Sequence, residues 1–321
     1  MLKFLAPFAA LPLAISPAHA NDSIAEIGAG GLVLVQADFI RMEKEDLYIS
    51  STKVKVDYVF RNTDTVDHTH IVAFPMPDID PIDYMESDNG IPDQNADNFM
   101  KFSVTVDGKA IAPLLEMRAV VAGIDLTDEL KALGLPLNPL SDAARTAVKA
   151  LPLDTLKELQ VMGAVRLQDD YIDPSWSLRS TYYWRQTFPA KAAISVAHRY
   201  TPAAGGTFFT ESSLDDAYYK DTYCLDAGTI AALRKKLAKL PEDRKMMLTT
   251  SLEYILTTGS NWMGPIGDFR LVLDKEKPDA IITLCETGVK KIGPTQFEVL
   301  KQDFYPEKDL KVLIVNALPA E

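Results

Sequence analysis

The sequence predicts a mainly β protein of the α+β class, with two β-sandwich-like domains, the first interrupted by a helical insertion. Three patterns predict it. Apolar and polar residues alternate with a period of two over short runs, the spacing of half-buried strands. About forty residues near the middle carry leucines at helical spacing instead. Beyond residue 207, short strand candidates follow one another with a single helix among them, which argues for a sandwich or barrel over a parallel sheet.

The chain opens with Lys3, an apolar stretch over residues 4–15, and Ala18-His19-Ala20 ahead of Asn21-Asp22-Ser23. A positive start, a short apolar run and an A-x-A site make residues 1–20 a secretory signal peptide, with cleavage expected near Ala20. The run is too short for a permanent span and no Cys follows the cut to carry a lipid, so no membrane anchor is expected and the mature protein is assigned to the periplasm or the outside. Removing residues 1–20 leaves 32 Lys and Arg against 45 Asp and Glu, a net charge of −13 with neutral His. Such a surface repels nucleic acid and anionic headgroups. It suits cationic ligands, or is simply a solvated acidic surface.

From Lys53, the apolar Val54, Val56, Tyr58 and Phe60 alternate with Lys53, Lys55 and Asp57, as in a strand with one face buried. Arg61-Asn62-Thr63-Asp64 reads as a turn. Residues 70–74 read as the returning strand, stopped by Pro75-Met76-Pro77 because proline cannot donate to a ladder. Phe102, Val104 and Val106 alternate with Ser103 and Thr105, and Asp107-Gly108 signals a tight hairpin into residues 110–120, so this segment reads as a β-meander. At Asp125 the period changes. Leu126, Leu130 and Leu133, then residues 143–150 behind Ser141-Asp142, then Leu153, Leu156 and Leu159 after Pro152 are helical, and residues 125–168 form the insertion. Strands resume at 182–188 and 194–200, and the 202–206 loop closes an N-terminal domain of residues 21–206.

In the C-terminal domain, residues 207–321, Asp226 caps one predicted helix over 229–240 with Ile230, Leu233 and Leu237 on its apolar face. Strand candidates follow at 251–256, 269–273, 280–285, 295–300 and 310–315. Cys224 and Cys285 are the only cysteines. An even pair in an oxidising compartment is expected to be bridged, two buried thiols being the alternative. Neither lies in a CxxC, so a redox-catalytic role has no support.

Several of these stretches carry a resemblance. Gly30-Gly31-Leu32, Glu45-Asp46-Leu47-Tyr48-Ile49-Ser50, residues 54–62 and Ala73-Phe74-Pro75-Met76-Pro77, with Asn98-Phe99 and Asp107-Gly108-Lys109 behind them, resemble an uncharacterised family of exported bacterial proteins, domain of unknown function 4424. Trp184-Arg185-Gln186-Thr187-Phe188-Pro189, His198-Arg199-Tyr200 and Thr258-Gly259-Ser260-Asn261-Trp262 fit the same family, so the resemblance spans most of the mature chain. It implies no activity, cofactor or catalytic residue. The order of a V-x-V-x-Y-x-F strand, an F-P-x-P strand end and a V-x-V-D-G-K hairpin is also similar, in fold alone, to the VIT-type β-sandwich of extracellular proteins.

Candidate sites are sparse. Asp78, Asp80, Asp83, Glu86, Asp88, Asp93 and Asp97 crowd residues 77–97, and Asp93-x-Asn95-x-Asp97 matches the first half of a calcium loop. Asn98 stands where that loop needs Gly and Val104 where it needs a bidentate Glu, so calcium is weighed against a solvated acidic loop. Asp169, Asp170 and Asp173 read as turn formers. His68 and His70 share one strand face, which suits zinc or copper, or an exposed hairpin end; His198 reads as a semi-buried, hydrogen-bonded residue. Trp176, Tyr182, Tyr183 and Trp184 form the densest aromatic stretch, either a ligand surface or core. Together with the insertion they are expected to bound a cleft, unless the insertion is a structural cap.

No G-x-S-x-G, H-E-x-x-H or P-loop spacing is present. The leading reading is therefore an exported soluble envelope protein without a required cofactor. It acts as a non-catalytic binding or assembly module for another envelope protein or a small ligand. The rival is an envelope hydrolase using scattered acidic residues.

Overall fold

The computed structural model describes residues 21–28, 31–81, 91, 93–168 and 171–318. Residues 1–20, Gly30, Asp83, Glu86, Asp88, Asp169 and Asp170 lie outside the described residues. The chain opens with β1 (Ser23–Gly28), β2 (Gly31–Val35), β3 (Ile40–Ser50), β4 (Val54–Asn62), β5 (His68–Pro75), β6 (Ser103–Val106), β7 (Lys109–Ile111), β8 (Leu114–Val121) and β9 (Ile124–Asp125). Then come helices α1 (Thr127–Ala132), α2 (Asp142–Lys149) and α3 (Leu153–Val161), and strands β10 (Val165–Gln168), β11 (Tyr171–Pro174), β12 (Ser177–Phe188), β13 (Ala193–Tyr200) and β14 (Phe208–Phe209). Helices α4 (Ala217–Tyr223) and α5 (Ala227–Leu237) precede β15 (Met247–Tyr254), β16 (Ile266–Asp274), β17 (Ile281–Leu284), β18 (Lys290–Lys291), β19 (Gln296–Phe304) and β20 (Leu310–Asn316).

A six-stranded sheet (β2-β1-β5-β12-β8-β9) faces an eight-stranded one (β18-β19-β16-β3-β4-β13-β6-β7), with a four-stranded sheet (β14-β15-β20-β17) beside them. The facing is direct. Phe74 of β5 and Trp184 of β12 meet His198 of β13 with ring centroids 4.7 and 5.5 Å apart, and Phe60 of β4 meets Phe188 of β12 at 6.2 Å. Within each strand the alternation behaves as expected: Val54, Val56, Tyr58 and Phe60, and Ile194, Val196, His198 and Tyr200, all point inward.

The meander does not form. Arg61 to Asp64 carries the chain from β4 in one sheet to β5 in the other, because two strands that each have one bulky apolar face bury both by facing across the sandwich. Asn62 holds the crossing. Its Nδ2 donates to the carbonyls of Val66 and Phe188 at 2.8 and 2.9 Å, and its Oδ1 accepts from Asp64 N at 2.8 Å. The expected β6–β7 hairpin is present, with Asp107 and Gly108 at φ 47° and 74°, as a two-residue turn between right-twisted strands requires.

Strand β16 runs parallel to β3, Leu271 opposite Leu47, so strands from both sides of residue 206 share one sheet. The core is continuous from Val56 through Leu47 and Leu271 to Val312 and Ile314. The other face of the four-stranded sheet, Met247, Leu313 and Val315, packs on Leu233 and Leu237 of α5 and Tyr223 of α4. The segment after residue 207 thus holds two α-helices where the sequence predicted one. Helix α4 has only seven residues, too few for an apolar period to stand out; Asp216 caps its start and Cys224, at φ 51°, ends it.

A β-bulge between Met42 and Lys44 resets the phase of β3. Met42 is buried before it and Glu45 after it, where unbroken alternation would bury Lys44. Gly267 permits the bulge, since a Cβ there would lie 2.6 Å from the Glu43 carbonyl oxygen.

The insertion closes one end of the sandwich. Leu130, Ala144, Val148, Leu156 and Leu159 join the main core, and Ser141 caps α2 by accepting from Ala144 N at 3.1 Å. Trp176 is fully buried and donates its Nε1 to the Leu137 carbonyl at 2.8 Å, pinning the insertion to the start of β12. At the opposite end, Cys224 and Cys285 are bridged, joining the end of α4 to the end of β17, where Thr283 Oγ1 also donates to the Tyr223 carbonyl at 2.8 Å.

Two outcomes follow. Replacing both cysteines by Ser should cost up to about 4 kcal/mol on chain-entropy grounds, read as a lower melting temperature that reductant does not lower further; a variant melting with the oxidised wild type would refute a stabilising bridge. Trp176→Ala should cost about 3–5 kcal/mol in urea unfolding and should make residues 125–168 the first target of limited proteolysis, an order of cleavage that an unanchored insertion would already show in the wild type.

Candidate functional site

The sequence-predicted ligand residues are mostly core. Trp176, Tyr182 and Trp184 are buried inside the sandwich, and Tyr182 stacks on Phe102 at 4.4 Å while donating to Asn98 Oδ1 at 2.6 Å. Tyr183 points to the other face and is half-buried. For Trp176, Tyr182 and Trp184 the ligand-surface reading gives way to core, their large rings being buried, while Tyr183 lies on the other face of β12. A groove of about 520 Å³ does lie at the insertion, lined by Val121, Gln160, Val165, Arg166 and Ser175, and none of the four aromatics lines it.

The metal candidates are also accounted for. Among the described residues no three His, Cys, Asp or Glu side chains gather as a metal would need. Asn95 docks on the start of α2 instead, its Oδ1 accepting from Asp142 N at 2.9 Å and its Nδ2 donating to Asp142 Oδ2 at 3.1 Å; Asp93 accepts from Asn95 N. This loop works as a clasp on the insertion. His68 and His70 stack at 5.8 Å, but His68 Nε2 is engaged with Asp64 Oδ2 at 2.8 Å and its ring lies on Phe39 at 5.1 Å. Burial and the neighbouring His68 push the His70 pKa down. Asp173 sits in β11 opposite Arg166.

Two further groupings emerge that the sequence did not show. The first is inside. Asn21, Asp22 and Glu45 are fully buried among Tyr58, His198, Tyr254, Thr258 and Trp262. Asn21 Nδ2 donates to Glu45 Oε2 at 3.3 Å, Tyr254 OH donates to Glu45 Oε1 at 3.3 Å, and Tyr58 OH donates to Asn21 Oδ1. The backbone is held as firmly: Thr258 Oγ1 donates to the Asn21 carbonyl at 2.9 Å and Trp262 Nε1 to the Asp22 carbonyl at 2.7 Å. Asp22 Oδ2 lies 3.5 Å from His198 Nε2, yet neither the Asp22 carboxyl nor the His198 ring makes a hydrogen bond among the described residues. Burial, and then the nearby Glu45, push the Asp22 carboxyl well up; burial raises Glu45 to about 8 and lowers His198 to about 3. Burial thus works against the charged form of each of the three groups.

The second grouping lies on the outer side of the same strands. In β4, β13 and β6 the register sets Lys55 opposite Arg199 and Arg199 opposite Ser103. Lys53, Thr201 and Lys101 flank that row, and together with Tyr200 these residues line a groove of about 270 Å³. Arg199 is anchored, pairing with Asp57 Oδ1 at 2.6 Å and donating to the His198 and Val56 carbonyls at 2.7 and 3.0 Å. The Lys55 ammonium lies 5.2 Å from the Tyr48 ring centroid. Lys101 has φ 54°, a left-handed backbone that a non-glycine residue rarely adopts. Like charges directly opposite across strands cost roughly 0.2–1 kcal/mol per pair, so this cluster is held against its own repulsion.

Sequence reading missed both groupings for definite reasons. The bulge at Met42/Lys44 hides the inward turn of Glu45. Lys55 and Arg199 lie far apart in sequence and become neighbours only through β4–β13 pairing. The neutral state of His198 carries a pH consequence. A histidine whose pKa falls on folding contributes stability that is present above its unfolded pKa and lost as pH falls through the interval toward the folded one. His198→Gln should therefore flatten the decline in unfolding free energy between pH 6.5 and about 3, measured by urea titration at stepped pH; an unchanged slope would show that His198 does not drive it.

No curated protein matches the chain. A crystal structure from Legionella pneumophila subsp. pneumophila str. Philadelphia 1, titled as a candidate nutrient binding protein, is similar at 16% identity and a TM-score of 0.49, over 92% of this chain and 70% of that one. An M1 zinc metallopeptidase from Deinococcus radiodurans is similar at 5% identity and a TM-score of 0.28, over 88% of this chain and 43% of that one. Neither likeness is close enough to bring a function across. The family is a different matter: residues 20–313 match the domain of unknown function DUF4424, and the chain belongs to that family.

Proposed function

We propose that this chain is an exported, non-catalytic binding module of the bacterial envelope, and that its ligand presents a compact anionic group, a carboxylate or phosphate, to the groove of Lys53, Lys55, Lys101 and Arg199. The observation that carries this reading is the convergence of four cations on one small groove in a chain whose net charge is strongly negative. Lys53 and Lys101 are exposed and make no ion pair among the described residues. Ser103 and Thr201 add hydroxyls beside them, and Arg199, fixed by Asp57 and two carbonyls, offers a pre-oriented guanidinium. A groove of about 270 Å³ suits a small ligand or a single acidic group of a larger one. The leader supports export.

The hydrolase reading is less well supported. The carboxyls and the histidine that converge, Asp22, Glu45 and His198, are fully buried, so a substrate has no open path to them.

Inorganic phosphate and citrate, each titrated against the protein in a thermal-shift assay at low ionic strength, test the proposal. A 100-fold excess over Kd should raise the melting temperature by roughly 5 °C, the rise should shrink at 0.5 M NaCl, and Lys53→Glu with Lys101→Glu should abolish it. No rise with either anion, or a rise the double variant keeps, would overturn the assignment of this groove.

A further inference from the structure

We infer that cleavage before Asn21 completes the core: the α-ammonium it creates is the cation that the buried Asp22 and Glu45 carboxyls lack. The inference rests on the export reading above and concerns a different part of the molecule. Its starting point is an imbalance. Two carboxyls are buried together, with no Lys or Arg side chain bonded to either among the described residues. Both Asp22 oxygens lack a hydrogen bond, and a polar group buried in that state is costly. Among the described residues the basic side chain nearest Asp22 is His198, at 3.5 Å, which is itself desolvated and sits beside Arg199 in sequence.

Asn21 is the residue at which that imbalance can be corrected. Its carbonyl is held by Thr258, its Oδ1 accepts from Tyr58, and its Nδ2 reaches Glu45 Oε2 at 3.3 Å. The α-nitrogen belongs to a fully buried residue whose carbonyl and side chain are both held by this cluster. While Ala20 is attached, that nitrogen is a neutral amide with one N–H. Hydrolysis of the Ala20–Asn21 bond by an envelope endopeptidase consumes one water: the acyl carbon takes the hydroxyl and leaves as the Ala20 carboxylate, and the nitrogen departs as an amine. An α-amine, with an ordinary pKa near 8, takes a further proton beside two acids and becomes an ammonium with three donors. A cation there favours the ionised forms of Asp22 and Glu45, reversing the effect of burial. Removal of the leader would thus convert a strained neutral cluster into a buried ion pair with hydrogen bonds, and would couple export to the final stability of the fold.

The titratable groups of this cluster are Asp22, Glu45 from β3, Tyr58 from β4, His198 and Tyr200 from β13, and Tyr254 from β15, with Arg199 beside His198. Without the ammonium, Glu45 has its pKa raised to about 8, so it contributes stability below its unfolded pKa that is lost as pH rises through 8. With the ammonium, that alkaline loss should vanish.

The test compares the full mature chain released from a cytoplasmic fusion with Asn21 as its first residue against the same chain carrying Gly-Ser in front. The extended form should melt roughly 5 °C lower at pH 7.5 and should lose stability between pH 5 and 8, whereas the free-amine form should not; Glu45→Gln should narrow the gap between the two. Should that variant fail to fold, acetylation of the α-amine decides, and in the folded free-amine form it should run at least about tenfold slower than in urea. Equal melting of the two forms, or an α-amine labelled as fast as in urea, would overturn the inference. Mass spectrometry of the protein made by its native host separates this from the export reading: an uncut chain that still begins at Met1 defeats that reading, whereas a processed chain with a first residue other than Asn21, or Asn21 with a freely reactive amine, defeats the inference alone.

Discussion

The pairing of β3 with β4 on one side and β16 on the other is the constraint on which the rest of this structure depends. It is made across 11 residues of β3, antiparallel to a neighbour a few residues away and parallel to a strand more than 200 residues later. A parallel pair between such distant strands needs a long crossover, and here the crossover is most of the molecule. Breaking it would separate Leu47 from Leu271 and divide a core that runs from the insertion to β20. The bulge at Met42/Lys44 sits in this same strand and turns one acid inward. The strand that joins the two parts of the chain therefore also creates the most costly polar site in the core.

That site is tolerable because it is heavily bonded. Tyr58, Tyr254, and Thr258 with Trp262 come from three separate segments, and each donates to the 21–22 backbone, the Asn21 amide or the Glu45 carboxyl. A loose chain end would gain little from such contacts. Here the first described residues are instead threaded through the junction of the two larger sheets and the segment after β15. The order of the N-terminus and the order of the core are thus one property.

Three strands give the molecule two chemically opposite faces. Alternation sends Val54, Val56, His198 and Val104 inward to aromatic packing, and sends Lys53, Lys55, Arg199 and Ser103 outward. A cost on the outer face, cations set side by side, is offset by strong burial on the inner one, so the strands can carry a charge arrangement that packing alone would not select. Lys101 adds a second local cost through its left-handed backbone.

Much of this was written in local pattern. The period of two located β4, β6, β12 and β13 and told inner from outer residues; Asp107-Gly108 specified a hairpin through its positive φ requirement; Ser141 and Asp226 marked helix starts; and a lone pair of cysteines pointed to a bridge. Such features depend on residues close in sequence, so the sequence by itself determined them. The choice of sheet for each strand did not, because a strand with one apolar face is equally satisfied beside β4 or across from it. Tertiary structure alone decided that β5 crosses the sandwich, that β16 lies against β3, that Glu45 rather than Lys44 is buried, and that Lys55 meets Arg199. Each depends on pairing between distant segments, whose register is selected by the burial of the whole core and leaves no trace in any short window of residues.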